Sequence, residues 1–392
     1  MKDKIWSRNF IVISLINFLS ILMFYLLIVT IASYAIETYH VSTSIAGLVS
    51  SIYVIGALVG RLFTGRFIGK LGPSKILTMG VVLFFASACL YFVEINIGFL
   101  LFNRFIQGTF VGIIGTAAGT IIASILPASR KGEGIGYYSL SVILATAIGP
   151  FIGIFLMKFQ NGNTYIFGFN VFLSLIMILA LVFMKLDPAM FRASEQKETD
   201  NSFIAKFMEP KSIPISFIAL LIGFAYSGVM SFLSFFAEEI HLVDAASFFF
   251  IVYAVATILT RPFTGRLMDR KGPNIIVYPC IGLFAVGMYM FSDASSSWML
   301  LVAAALIGLG FGNFNSIAQT IAVKVTEPHR FGFATSTYFI FYDIGLGLGP
   351  YLLGLFIPFV GYRAIFLWML PVILVCIPLY YVLHGRKAKL YI

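Results

Sequence analysis

The chain has 392 residues, of which 60% are hydrophobic and only 11% charged, and its formal net charge is +10. Soluble domains carry about 25% charged residues, so this composition excludes a water-soluble surface and predicts a membrane protein. Backbone groups inside a bilayer must be satisfied internally, which leaves helices or a closed barrel. Long unbroken apolar runs such as 80–93 and 281–291 exclude the alternating strands of a barrel and predict an all-α fold.

Apolar runs of about twenty residues, long enough to cross a bilayer, recur along the whole chain. The first run, Ile11 to Ile36, is too long for the core of a cleaved signal peptide, so we interpret it as span one. The twelve predicted spans are 9–36, 43–64, 76–95, 98–126, 134–157, 165–185, 212–237, 246–265, 274–292, 298–323, 332–358 and 363–383.

Basic residues lie mainly on one side of these spans. Of the 26 Lys and Arg residues, only Lys158 and Arg363 fall in loops on the far side. Cytoplasmic loops carry the excess of Lys and Arg in membrane proteins. The sequence therefore predicts a multi-pass protein of the cell membrane with both termini in the cytoplasm. The same rule explains the net charge without a nucleic-acid partner.

The chain contains an internal repeat with an offset of 200 residues. RLFTGRFIGKLGP (61–73) matches RPFTGRLMDRKGP (261–273), and Gly149-Pro150 matches Gly349-Pro350. Two parallel six-span halves are a known transporter architecture, with the substrate near the bilayer midplane. We predict an N-terminal half at 1–185, a cytoplasmic linker at 186–211 and a C-terminal half at 212–392.

Three motifs support a family resemblance that covers the whole chain. They are the duplicated segment 61–73/261–273, RFIQG at 104–108 in span four, and the small-residue segment 145–153 in span five. With these motifs the chain resembles the major facilitator superfamily, and most closely its drug:proton antiporter branch. The resemblance implies twelve transmembrane helices in two pseudo-symmetric six-helix halves, working as a monomer.

In the family, the segment after span two is a cytoplasmic gate whose acid pairs with cations and helix N-termini. The second copy keeps this acid as Asp269, whereas the first copy has Gly69 there. The alternative is a tight, positively charged turn. The predicted gate residues are Gly65, Arg66, Gly72, Gly265, Arg266, Asp269, Arg270 and Gly272.

Ionisable residues inside spans are costly and indicate function by default. We take Arg104 as the only base deep in a span and Asp343, in span eleven, as the only deep carboxylate. Alternatively, Arg104 snorkels to the interface, and Asp343 is a structural acid; Glu37 is a weaker proton carrier. The predicted substrate and proton pathway comprises Arg104, Asp343, Gln107, Asn17, Tyr25, Tyr226, Asn313, Asn315 and Gln319.

The segment in span five resembles a motif associated with exporters, although Ala145 stands where the family pattern begins with Gly. Close helix packing through small residues is the alternative interpretation. The predicted exporter-motif residues are Gly149, Pro150, Gly349 and Pro350.

We therefore expect a secondary transporter, a proton-coupled exporter of a small amphipathic organic molecule that works by alternating access. No nucleotide-binding motif appears and the four histidines fall in predicted loops or at a terminus, so we expect neither an enzyme nor a cofactor or metal. The expected partners are a small-molecule substrate and membrane lipid. The alternatives are a transporter of a sugar or amino-acid-like solute, or a non-transporting membrane sensor.

Overall fold

The protein is helical along almost all of the 4–28, 30–41, 43–157, 159–185 and 207–386 segments that its computed structural model describes. Most of the predicted linker, 186–206, lies outside the described residues. The helices are α1 (Arg8–Ile28), α2 (Ile31–Tyr39), α3 (Thr43–Leu71), α4 (Pro73–Cys89), α5 (Ile97–Ile125), α6 (Lys131–Met157), α7 (Gly162–Val182), α8 (Ile213–Glu239), α9 (Val243–Lys271), α10 (Asn274–Ser292), α11 (Ser297–Ile307), α12 (Asn313–Lys324) and α13 (Phe331–Leu383).

The twelve predicted spans are confirmed, and the last two lie in one long segment that a single glycine divides. Among the described residues, eleven segments are long and apolar enough to cross a bilayer, and the last is Pro328–Leu383 with 56 residues. At 1.5 Å per residue, such a segment is about 84 Å long, far more than a bilayer core of about 30 Å. Gly361, with φ 77° and ψ 170°, breaks α13 into two helices, which supply spans eleven and twelve.

The two copies of the duplicated motif end their helices with the same backbone turn. Gly72 follows α3 with φ 81°, and Gly272 follows α9 with φ 85°. Only glycine adopts these positive φ angles without a steric penalty. A proline comes next in both copies, Pro73 and Pro273, at the start of the following helix. An N–H group at that position has no partner within the helix, so its absence in proline costs nothing.

The described chain forms two compact units. Unit 1 comprises Met1–Ile125, Leu140–Met208 and Pro328–Ser336; unit 2 comprises Leu126–Ser139, Glu209–Glu327 and Thr337–Ile392. Each unit thus includes the first residues of one helix, α6 or α13, that the repeat assigns to the other half. The proposed division at 1–185 and 212–392 stays a prediction.

Each unit has its own aromatic core. In unit 1, the Phe167 ring stacks on Tyr91 at 5.1 Å between centroids and meets Tyr34 edge-on at 4.9 Å. In unit 2, Phe291 lies 4.7 Å from Phe366 and 5.3 Å from Phe236. Such pairs add to the free energy gained by burying the rings, so they help to hold the helices of each unit together.

Candidate functional site

Arg104 of α5 is completely buried in unit 1 and is held by several groups at once. Its Nε donates to the carbonyl of Val49 at 3.2 Å, and its Nη1 donates to Tyr91 at 3.3 Å and to Oε1 of Gln107 at 3.2 Å. The guanidinium also lies 4.5 Å above the ring of Tyr53. The structure therefore brings together Arg104 and Gln107, two residues of the predicted pathway.

Glycines allow this arrangement by letting the α3 and α5 backbones touch. A Cβ atom on Gly108 would collide with the Tyr53 carbonyl, and one on Gly112 would collide with the Ala57 carbonyl. Small residues at four-residue spacing permit such close approach in membrane helices. The contact carries the α3 carbonyls within reach of the buried Arg104 side chain.

Two further residues of the predicted pathway lie on α1, also in unit 1. Asn17 is buried and donates from Nδ2 to the hydroxyl of Ser141 at 2.8 Å. Tyr25 packs against Gly149 of α6, where an added Cβ would lie 2.6 Å from the Cβ of Tyr25. Pro150 follows within α6. The exporter-motif glycine thus has a packing role, as the alternative interpretation held; an export role stays a prediction.

Unit 2 contains a second polar cluster, built around Asn315 and α13. The hydroxyl of Tyr338 donates to the Asn315 backbone carbonyl at 2.7 Å and to its side-chain oxygen, and Asn315 donates to the hydroxyl of Tyr342 at 3.2 Å. Asp343 is half-buried on the same helix and lies close enough to Tyr338 to interact electrostatically. The structure therefore places Asp343 beside the Asn315 cluster.

The remaining predicted pathway residues in unit 2 are buried. The Tyr226 ring stacks on Phe311 with centroids 3.8 Å apart, and Gln319 is 5% exposed. In the second exporter-motif copy, Gly349 packs against the Ser227 side chain and precedes Pro350, which lies inside α13. Close packing at the glycine therefore occurs in both units.

Span ten contains a single turn of π-helix, Gly308–Gly312, between α11 and α12. Such turns leave backbone groups in need of partners and are frequent at functional sites. The Thr257 hydroxyl donates to the Gly308 carbonyl at 2.9 Å, and Nη2 of Arg261 donates to the Gly312 carbonyl at 2.6 Å. Two α9 side chains, four residues apart on one face, thus satisfy the turn.

Asn313 begins α12 directly after the π-turn and is tied to α9. Its Nδ2 donates to the hydroxyl of Thr260 at 2.8 Å, and its Oδ1 accepts from the hydroxyl of Thr264 at 3.2 Å. Both ends of the amide are therefore used within unit 2. Asn313 fixes the position of α12 against α9.

Arg261 corrects one expectation drawn from the sequence. Arg104 is not the only base deep in a span, because Arg261 is only 2% exposed and lies inside the membrane-spanning helix Val243–Lys271. The positive-inside count had assigned it to the cytoplasmic side. Its position within the predicted span 246–265 was the signal that could have identified it. Tyr338 was also missed, since tyrosine is common in this chain and no motif marks it.

The second copy of the gate motif forms an ionic cluster at the start of α6, within unit 2. Asp269 accepts from the backbone N–H groups of Gly132 and Glu133 at 3.0 Å each, and its Oδ1 lies 2.9 Å from Nζ of Lys324. A carboxylate at a helix N-terminus is stabilised by the helix dipole. Nε of Arg266 lies 2.8 Å from Oε1 of Glu133.

Glycine brings these helices together, because a Cβ on Gly265 would lie 2.6 Å from the Cα of Glu133. Arg270 is exposed, and Gly272 forms the turn after α9. The contacts of Asp269 match what the family resemblance implies. Its role as a gate stays a prediction.

The first copy of the motif, in unit 1, has different contacts. Gly69 brings no carboxylate, and the guanidinium of Arg66 lies 4.9 Å above the Phe207 ring. Gly65 faces the side chain of Ser336, whose hydroxyl donates to the Arg61 carbonyl at 2.7 Å. The first copy therefore meets the start of α13 through a hydroxyl and a backbone carbonyl, whereas the second copy meets the start of α6 through the carboxylate of Asp269.

Twelve membrane-spanning helices with buried polar clusters define a polytopic transport protein, and comparison with known proteins gives its family. The family model described as Major Facilitator Superfamily matches residues 13–244 and 215–390. The chain belongs to the Major Facilitator Superfamily and is a membrane transporter of that family.

Relatives and solved structures agree with this assignment. The chain is 25% identical over 363 residues to an uncharacterised MFS-type transporter of Methanocaldococcus jannaschii, covering 91% of this chain and 92% of the relative. It is 24% identical to Multidrug resistance protein 2 of Bacillus subtilis over 366 residues, covering 91% and 90%.

Among solved structures, the proton:xylose symporter XylE matches with a TM-score of 0.76 at 14% identity, covering 95% of both chains. The human organic anion transporter MFSD10 matches with a TM-score of 0.74 at 15% identity, covering 95% of this chain and 98% of that one. At these identities the two structures show the fold alone.

Proposed function

We propose that this transporter is a proton-coupled exporter of small amphipathic organic molecules, working by alternating access in the cell membrane as a monomer with cytoplasmic termini. The proton gradient supplies the energy, and no cofactor is needed. The observation that carries this proposal is the half-buried carboxylate of Asp343 within span eleven, beside the Tyr338–Asn315–Tyr342 cluster.

A carboxylate in this position suits proton coupling for a physical reason. A neutral carboxylic acid is tolerated in a dry interior, whereas the charged form requires water or a polar partner. Gain and loss of the proton therefore change the relative stability of the two open states of a transporter. Ile143 occupies the repeat position of Asp343, so unit 1 offers no equivalent carboxylate there.

Two observations support export of an amphipathic compound. One relative over most of the chain is Multidrug resistance protein 2 of Bacillus subtilis. Tyr342 accepts a hydrogen bond from Asn315, and its ring continues into the rings of Phe311 and Tyr226. Sites for drug-sized ligands combine such apolar walls with a few polar groups.

The test uses proteoliposomes that contain a pH-sensitive dye and are exposed to a panel of amphipathic aromatic compounds. We expect substrate-driven proton movement, and accumulation against a gradient when a pH difference is imposed. Asp343→Asn should abolish the uphill component while leaving substrate binding measurable. The control, Asp293→Asn, neutralises a carboxylate whose side chain is 64% exposed and should transport as wild type does. Wild-type uphill flux in Asp343→Asn would exclude the proposed role.

A further inference from the structure

Arg261 is a buried cation whose hydrogen-bonding capacity is largely unused. A guanidinium has five N–H groups and stays protonated in proteins. Only Nη2 is bonded, to the Gly312 carbonyl, and neither Nε nor Nη1 has a hydrogen-bond partner among the described residues. Taking a charge out of water costs several kcal/mol unless opposite charge and hydrogen bonds compensate it. A single carbonyl bond leaves most of that cost uncompensated.

The π-turn by itself does not explain an arginine at this position. The Gly308 carbonyl of the same turn is satisfied by Thr257, a neutral residue that needs no counter-charge. A neutral donor at position 261 would serve the Gly312 carbonyl in the same way. The charge of Arg261 and its remaining N–H groups therefore indicate another partner, and that partner is an anion.

The surroundings of Arg261 indicate what kind of anion. Tyr253, Tyr338 and Tyr342 are electrostatic neighbours of its guanidinium. The rings of Tyr253, Tyr226, Phe311 and Tyr342 form a near-parallel series, with interplanar angles of 26°, 14° and 16° between successive rings. A cation beside flat aromatic surfaces matches a ligand with one negative charge and a planar apolar body.

Exposure in this series of rings increases toward Tyr342. Tyr253, Tyr226 and Phe311 are at most 7% exposed, whereas Tyr342 and Asn315 are half-buried. The Tyr342 ring lies 6.4 Å from Phe311, compared with 3.8 Å between Tyr226 and Phe311. The looser end of the series is thus also the more exposed one.

We propose that Arg261 binds the carboxylate of an aromatic or similarly planar organic acid, whose apolar body packs against the rings of Phe311 and Tyr342. The carboxylate accepts hydrogen bonds from the N–H groups that the protein leaves unused, which compensates the buried charge. The site lies within unit 2 and involves α9, the π-turn and α13. It rests on the proposed function in one respect, because it defines the substrate class of that exporter as anionic.

The experiment measures binding to the purified protein in detergent, where no gradient and no direction of transport exist. The probes are 2-naphthoate and its neutral analogue 2-naphthamide, compared by isothermal titration calorimetry at a pH near 7. A hydrogen bond to a charged group contributes about 1.5–3 kcal/mol, so we expect naphthoate to bind about 10- to 100-fold more tightly than naphthamide. Absence of naphthoate binding, or equal affinities in wild type, would overturn the proposal and leave water as the partner of Arg261.

Variants locate the preference at this residue. Arg261→Gln should remove the preference for naphthoate while leaving naphthamide binding unchanged, and Arg261→Lys should restore part of it because the charge is kept. The matched control is Arg61→Gln, the same change at the repeat position in unit 1, and it should keep the wild-type ratio. Loss of the ratio in Arg61→Gln, or its survival in Arg261→Gln, contradicts the proposal.

Failure of export and failure of this site remain distinguishable. If naphthoate binds through Arg261 but no uphill, proton-coupled flux is found in liposomes, the exporter assignment is wrong and the anion site stands. If coupled export is found with neutral compounds and the binding ratio is flat, the exporter stands and the anion site is wrong.

Discussion

Spans four and ten occupy equivalent positions in the 200-residue repeat, yet they bury their polar groups differently. In span four, α5 runs unbroken from Ile97 to Ile125, and Arg104 has two of its three guanidinium nitrogens bonded within its own unit, while Nη2 has no hydrogen-bond partner among the described residues. In span ten, a π-turn interrupts the helix and takes donors from α9, and Arg261 keeps N–H groups unused. Arg104 thus leaves one nitrogen unbonded and Arg261 leaves two, and under the anion-site proposal the first cation serves stability and the second serves binding.

Replacing each of the two arginines tests this comparison with the largest expected effect. Arg104→Met leaves the Val49 carbonyl and the Gln107 side chain without their donor, and breaking such a buried charged network costs about 3 kcal/mol. Arg261→Met leaves the Gly312 carbonyl without its side-chain donor but removes an uncompensated charge, so we expect a loss of about 1 kcal/mol or less. The free energy of unfolding, from SDS titration in mixed micelles, measures both. Equal losses would mean that both arginines are structural.

The next largest effect concerns the pH dependence of stability at His384, whose repeat position in unit 1 is occupied by Met184. Burial lowers the pKa of His384 to about 4, so between about pH 6.5 and pH 4 the unfolded chain binds a proton that the folded chain does not. Stability must then fall as the pH falls through this window, by about 2 kcal/mol at pH 5.

Placing the unit 1 residue at this position, His384→Met, should remove that part of the acid sensitivity. Thermal unfolding temperatures at pH 7.5 and pH 5 measure it, with the exposed His241→Gln as control. An unchanged pH dependence in His384→Met would show that His384 is not the group responsible.

The two gate-motif copies sharpen the comparison at the ends of the helices. Asp269→Asn weakens the bonds to the α6 N-terminus and the ion pair with Lys324, which together contribute about 1.4 kcal/mol. Opening of this contact should therefore become about tenfold more frequent. The labelling rate of a cysteine at Ser139, buried on α6, measures opening in a background without Cys89, Cys280 and Cys376.

The matched control is Gly69→Asn, which changes the equivalent position of the first copy, where no carboxylate is lost. Its labelling rate at position 139 should equal that of the unmodified background. If Asp269→Asn also labels at the background rate, the ionic cluster does not hold this contact closed.

The smallest effect is expected at the π-turn. Thr257→Ala places the unit 1 residue, Ala57, in unit 2 and leaves the Gly308 carbonyl without its side-chain donor. We expect a loss of about 1 kcal/mol in unfolding free energy. The control is Thr260→Ala, about one helical turn further along α9. It removes a bond to the Asn313 side chain and leaves the side-chain donors of the π-turn carbonyls in place. If the π-turn depends on Thr257, the unfolding free energy falls more in Thr257→Ala than in Thr260→Ala. Equal losses would contradict this role.

The fold was largely predictable from the sequence because its determinants are local. Apolar length defined the spans, and the repeat 61–73/261–273 gave the internal symmetry. The boundary between spans eleven and twelve was also predicted, because Gly361, whose positive φ separates the two helices of α13, lies in the gap between the predicted spans 332–358 and 363–383. The sequence did not show that one residue makes the whole break.

The polar clusters were predictable only in part. Arg104 and Gln107 are one helical turn apart in sequence, so their contact follows from helix geometry. The π-turn carries no signature in composition, and the burial of Arg261 depends on α9 packing against it. Tyr338 joins Asn315 across 23 residues, a tertiary contact that no spacing rule supplies.

The π-turn also has a geometrical consequence for span ten. The repeat offset stays at 200 from Arg61/Arg261 to Gly149/Gly349, so the wide turn was made without an inserted residue. An α-helix turns by about 100° and rises about 1.5 Å per residue, and a π-turn fits one more residue into a turn. For the same number of residues, span ten is therefore about 1.5 Å shorter along its axis than span four. The side chains after the π-turn are rotated about the axis by about 100° relative to their counterparts in span four. Sliding the wide turn along the helix would rotate the residues it passes, such as Asn313 and Asn315, while both ends of the helix stay in place.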